Sequence, residues 1–103
     1  MVIRYIYNTS GKYVAFFDGR NVFSPDSTWI GFVPRANEVY CPDGTFMGYL
    51  ANDDRIIRNR IDIPRLRQIR PLRPLRPIRP IRPLRRLRMP RLPYPYEDVF
   101  ESA

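Results

Sequence analysis

The segment NEVYCPDGTFMGYL at residues 37–50 is an apolar strand, a Pro-Asp-Gly turn and a second apolar strand, and two diverged copies precede it. Aligned on their turns, IYNTSG at 6–11, VFSPDS at 22–27 and VYCPDG at 39–44 recur after 16 and then 17 residues. Proline presets the first central turn position, Asp suits the second, and Gly accepts the left-handed backbone of a type I turn with a bulge. Each copy therefore reads as a hairpin tip. Ser27 stands where the other copies have Gly and is expected to sit there under mild strain.

The returning strands superpose as well: YVAFF at 13–17, WIGFV at 29–33 and FMGYL at 46–50. They are apolar on both sides of the two-residue alternation, so they need cover on two faces. Their middle column, Ala15, Gly31 and Gly48, is small each time, which marks a close backbone approach where hairpins converge or where a ring lies flat over the chain. Asp18-Gly19 and the segments 34–37 and 51–54 read as joints between hairpins. RIIRN at 55–59 opens a fourth copy that has neither turn signal nor return strand. The expected class is all-β: a small β-hairpin-repeat meander of three hairpins plus a strand, followed by an extended polyproline II or disordered Arg-Pro-rich tail. The boundaries expected are 1–60 for the repeat domain, 61–93 for the tail and 94–103 for an acidic-aromatic end.

With 103 residues there is room for one small domain and an appendage. Such a domain buries only about 60% of its unfolded surface. Eleven aromatics (Tyr5, Tyr7, Tyr13, Phe16, Phe17, Phe23, Trp29, Phe32, Tyr40, Phe46 and Tyr49) exceed what one thin layer covers, so association into a homo-oligomer is expected. Core packing accounts for the aromatic columns better than a carbohydrate or small-ligand platform does.

The pattern YxxxGxYxAFxxGRxxFSPxxxWIGF, continued by EVYxPDGTFMGYL, runs through residues 7–50 and resembles the bacterial four-fold beta flower proteins. The resemblance implies about four short β-hairpin repeats followed by a Pro-rich tail of apolar-Pro triads, with no activity attached. This chain departs from it in lacking a complete fourth hairpin and in carrying arginine in the tail.

The tail changes material abruptly. Residues 1–54 carry four basic and six acidic side chains, whereas residues 55–103 carry fourteen and four, so the formal charge of +8 belongs to the second half. Counting by threes places Arg67, Arg70, Arg73, Arg76, Arg79, Arg82, Arg85, Arg88 and Arg91 in one register. A second register is aliphatic, from Ile63 through Leu72 and Ile78 to Leu87. The third holds Pro71, Pro74, Pro77, Pro80 and Pro83, with Arg65, Gln68, Arg86 and Met89 replacing proline outside the central run.

Proline at every third residue removes the helical hydrogen-bond ladder and excludes an α-helix over 71–83. Polyproline II has three residues per turn, so the registers become three edges, with arginines about 9 Å apart and a span from Arg70 to Arg91 of roughly 70 Å if straight. Collagen is excluded because the tract lacks glycine.

The nine register arginines are the candidate anion-binding residues, since guanidinium forks pair with phosphate or carboxylate and stay charged at physiological pH. Nine contacts to duplex phosphates imply a log–log salt slope near about −8 and almost no base preference. Nucleic acid or another polyanion is the partner expected, and an anionic membrane surface would use the aliphatic register too, although the tract is no amphipathic helix. The competing readings are a solvated spacer or assembly element, and a ligand-binding head with the tail as solubiliser. The PxxPxR spelling at Pro71, Pro74 and Arg76 follows from any Pro-Leu-Arg repeat and is not read as a docking signal. The end LPYPYEDVFESA reads as a frayed terminus or as a segment that folds back on arginines.

An enzyme is not expected: Ser10, Ser24, Ser27 and Cys41 have no histidine to activate them, and no phosphate loop is present. Asp53-Asp54 sits in a polar joint where solvation is the ordinary fate. One cysteine and no histidine leave no disulfide framework within the chain and no zinc site, and no cofactor is expected. Neither a signal-type apolar run nor a membrane-length stretch occurs, so a cytoplasmic location is expected.

Overall fold

The computed structural model describes residues 3–35, 37–61, 67–69 and 71–100. Eight strands form one curled antiparallel sheet in which each strand neighbours the next in sequence. They are β1 (Ile3–Tyr7), β2 (Tyr13–Asp18), β3 (Asn21–Phe23), β4 (Trp29–Arg35), β5 (Glu38–Tyr40), β6 (Phe46–Leu50), β7 (Ile56–Asn59) and β8 (Tyr96–Asp98). No helix occurs among the described residues. The three expected hairpins are β1–β2, β3–β4 and β5–β6.

The fourth hairpin is complete. Its return strand comes from the acidic-aromatic end, with Ile57 opposite Asp98, Arg58 opposite Glu97 and Asn59 opposite Tyr96. The end is thus not frayed over these residues, although Tyr96 stays exposed. The described residues between 60 and 95, those of the triad tail among them, take the place where the fourth hairpin would have its tip.

The repeat has a physical meaning in the core. Ile6, Val22, Val39 and Ile56, one from each hairpin's first strand, are at most 2% exposed and form the centre of the main apolar cluster. Opposite the first three lie Ala15, Gly31 and Gly48. A Cβ on Gly31 would come within 2.8 Å of the Tyr40 carbonyl, and one on Gly48 within 2.4 Å of the Ile57 carbonyl. The small column is therefore where one hairpin abuts the backbone of the next.

A register shift follows at the same point in each copy, between Ile6 and Tyr7, Val22 and Phe23, and Val39 and Tyr40. Such bulges increase the local twist and bend the sheet into its curl. The tips repeat too: the N–H of Asn8, Ser24 and Cys41 donates to the carbonyl of Lys12, Thr28 and Thr45 at 3.0, 2.8 and 2.7 Å. Gly11, Ser27 and Gly44 take φ of 87°, 68° and 93°, so Ser27 does occupy the left-handed position.

Aromatic cover comes from this chain. Phe16 stacks on Phe23 across hairpins, and Phe32 on Tyr40, with ring centroids 5.4 and 5.9 Å apart. Val99 and Phe100 pack on the central cluster, and Met89 packs on the second cluster of Tyr7, Tyr13, Phe16 and Phe23. The cover expected from another copy is supplied, in part, by the chain's own final third.

Candidate functional site

The molecule measures 37 × 35 × 21 Å, so a straight tail of roughly 70 Å does not fit it. The tail instead bends around the head as a belt that visits the three other tips in reverse order. At the third tip, the Gln68 N–H donates to the Gly44 carbonyl at 2.9 Å, and Arg67 lies 3.5 Å from Asp43. At the second, the Arg76 guanidinium donates to the Asp26 carbonyl at 2.8 Å. At the first, the Arg86 N–H donates to the Gly11 carbonyl at 2.9 Å, and the Met89 N–H to the Thr9 carbonyl at 2.8 Å. Between the last two, the Tyr5 hydroxyl donates to the Ile81 carbonyl at 3.0 Å.

The interruptions of the proline register now have a cause. Gln68, Arg86 and Met89 fall on the same count of three as the prolines, and they are the residues whose N–H groups bond to tips. Proline has no such donor. Where the belt crosses the second tip the register is proline, that tip carries Ser27 instead of Gly, and the contact is made by the Arg76 side chain. The glycines of the other two tips also permit close approach: a Cβ on Gly11 would lie 2.1 Å from the Arg86 carbonyl and one on Gly44 2.3 Å from that of Gln68.

Sequence reasoning missed the head residues that hold the belt. Asp54 receives Arg4 at 2.6 Å and Arg86 at 2.9 Å, so it is not simply solvated. Arg55 is 6% exposed and donates to Asp53 at 2.5 Å, to the Thr9 hydroxyl at 3.2 Å and to the belt's Pro90 carbonyl at 2.8 Å. A buried arginine is expensive unless such partners surround it. The available signal was the run of charges at 53–55, immediately before an apolar strand. Glu97 folds back on Arg58 at 2.6 Å and Arg60 at 3.9 Å, not on the register arginines, and Asp98 accepts the Thr9 N–H at 3.1 Å.

Of the nine candidate arginines, Arg70 lies outside the described residues. The other eight are all exposed and follow the belt around the head, not one straight edge. Arg82 lies 5.7 Å from the Tyr13 ring, and Arg85 donates to the Ser10 carbonyl at 3.3 Å. Arg73, Arg79, Arg88 and Arg91 make no ion pair among the described residues. Arg79 and Arg82 flank a hollow of about 310 Å³ with Tyr13 and Asp26, while Arg85, Arg86 and Arg88 line one of about 550 Å³ beside Ser10.

Four head groups among the described residues have altered acidity. Hydrogen bonds from Ser24 and then Thr28 lower Asp26, and burial and then the hydrogen bond to Glu38 raise Tyr40. Burial, helped by nearby Tyr5, pushes Tyr13 up to about 12 against the opposing Arg82. Burial and then Asp43 raise the Cys41 thiol, which disfavours a reactive thiolate there.

The belt turns a consistent side outward. Pro74, Pro77, Pro80 and Pro83 are half-buried, whereas the aliphatic register (Ile69, Leu72, Leu75, Ile78, Ile81, Leu84 and Leu87) is 89% to 95% exposed. Exposure therefore repeats every three residues, as the sequence does.

No curated protein and no solved structure matches this chain. The model of the 4-fold beta flower protein family matches residues 4–97, from the first strand through most of the last. Four hairpins around a shared apolar centre, the fourth closed by the chain's end, are the arrangement on which that match falls: the chain belongs to the four-fold beta flower family.

Proposed function

We propose that the protein is a non-enzymatic interaction module whose β head presents a cationic belt to an anionic partner. The observation carrying this reading is that Arg73, Arg79, Arg88 and Arg91 are exposed on the belt without a carboxylate partner among the described residues. A guanidinium left in this state keeps its fork free for phosphate or carboxylate. The head contributes preorganisation: a belt already bound to the tips loses less conformational freedom on capture than a loose tail would.

The test is salt-dependent binding of a short duplex to the full chain and to a variant with those four arginines replaced by glutamine. The log–log slope should become shallower by about 3.6, at about 0.9 for each phosphate no longer neutralised. Identical slopes would dismiss the reading.

A second reading, in which the belt serves only to close the flower, is favoured by the backbone bonds from Gln68, Arg86 and Met89 to the tips. It predicts that the four-glutamine variant folds and behaves as the parent in every binding assay.

A further inference from the structure

We propose that the outward aliphatic register of the belt is a docking surface for an anionic lipid bilayer. The proposal rests on the cationic-belt reading and names its partner. Its starting point is which side of the tract faces the head. A tract serving only as a soluble spacer would turn its leucines and isoleucines inward and its arginines out. Here Pro74, Pro77, Pro80 and Pro83 are half-buried against the head, while Leu72, Leu75 and Ile78 are 94% to 95% exposed. A row of seven large aliphatic side chains, one every third residue and each at least 89% exposed, is apolar surface that the head leaves uncovered and that a partner can cover.

Charge selects among the occupants. A second copy of the chain, ridge against ridge, would bring two rows of exposed arginine together without carboxylates between them. A nucleic acid would satisfy the arginines and leave the ridge in water. A bilayer carrying acidic headgroups offers phosphate directly above hydrocarbon, and so matches both registers at once. Each exposed aliphatic of the central run is followed immediately by an arginine. In Leu72-Arg73 and Ile78-Arg79 that arginine has no ion pair among the described residues and can sit at headgroup level, whereas Arg76 after Leu75 is held on the Asp26 carbonyl.

The backbone argues for shallow docking. A proline-punctuated extended strand has carbonyls that no helix or sheet satisfies, and these are not tolerated in hydrocarbon. The strand therefore stays among the headgroups, with only the aliphatic ends dipping below and the arginines snorkelling upward. No helix among the described residues is long and apolar enough to cross a membrane, and this mode requires none. Because the belt curves around the head, one face of it docks at a time.

The test is co-sedimentation of the full chain with vesicles of phosphatidylcholine alone or mixed with phosphatidylglycerol, alongside duplex DNA as a polyanion without hydrocarbon. Two variants accompany it: Leu72, Leu75 and Ile78 all to Ser, and Arg73, Arg79, Arg88 and Arg91 all to Gln. Trp29 fluorescence and circular dichroism check that each is folded. We expect capture by the phosphatidylglycerol vesicles, a loss of about tenfold or more in the serine variant, unchanged duplex affinity in that variant, and loss of both in the glutamine variant.

Equal vesicle affinity for the serine variant and the parent overturns the lipid inference while leaving the anion reading intact. So does duplex binding without vesicle binding. A ridge-dependent dimer in light scattering, with no vesicle capture, overturns it in favour of a second copy. Failure to bind either vesicles or duplex removes both readings.

Discussion

Replacing Gly11 with alanine should cost far more than the same change at Gly19. Both glycines have positive φ, 87° and 65°. Both changes therefore carry the left-handed penalty of about 1–2 kcal/mol. Around Gly19 a new Cβ meets nothing within 4 Å, whereas at Gly11 it lands 2.1 Å from the Arg86 carbonyl and 2.8 Å from its carbon. The belt must retreat by more than an ångström, which breaks the bond from the Arg86 N–H to the Gly11 carbonyl and the neighbouring one from Met89 to Thr9. Each contributes about 1 kcal/mol net. The excess of Gly11→Ala over Gly19→Ala is thus about 1–2 kcal/mol, or roughly 5–15 °C in melting temperature for a chain of this size. Thermal unfolding followed by circular dichroism measures it. In a chain whose residues 67–91 are replaced by a Gly-Ser linker, the two changes should become equivalent. Equal costs in the intact chain would refute the reasoning, because the belt would then not lie against the first tip.

Other consequences follow from the same contacts. Arg55→Met leaves the Pro90 carbonyl and Thr9 without their donor and should destabilise by about 2–3 kcal/mol, discounted because Asp53 is partly exposed; urea titration checks this. Ser27→Gly should stabilise by about 1 kcal/mol, since it relieves a left-handed non-glycine residue and removes a buried hydroxyl that has no partner among the described residues. The sign of the melting shift decides it. Cys41, with its thiol raised by burial and Asp43, is less ionised than a free thiol at any given pH. Its alkylation should therefore lag that of free cysteine at mildly alkaline pH, with the rate midpoint displaced upward, and equal rates would contradict the burial.

The head was legible because its signals are local. Turn chemistry at Pro42, Asp43 and Gly44, the alternation in 46–50 and the small column at Gly31 and Gly48 all act between residues close in sequence, and the sheet follows them. The fourth return strand was not legible. Tyr96–Asp98 is short, charged and far from Ile56–Asn59, and pairing across such a loop leaves no local trace. The three-residue period of the tail was equally visible, and it survives as a period in exposure. Where the tail goes was hidden: a proline-rich strand has no preferred partner of its own. The answer lay in the register's exceptions, since Gln68 and Arg86 mark where an N–H is needed and Gly44 and Gly11 mark where room is needed. Arg55 illustrates the remaining difficulty, because a charge reads as exposed until its three acceptors, from three different segments, are brought together.

Small-angle X-ray scattering of the full chain at low ionic strength addresses the belt itself. A tail wound on the head gives a radius of gyration close to the 13.3 Å of the Cα trace and a longest dimension near that of the 37 Å particle, each enlarged only by side chains and hydration. A projecting arm, extended by about 3.1 Å per residue, would carry the longest dimension beyond roughly 70 Å, and that profile would contradict the account.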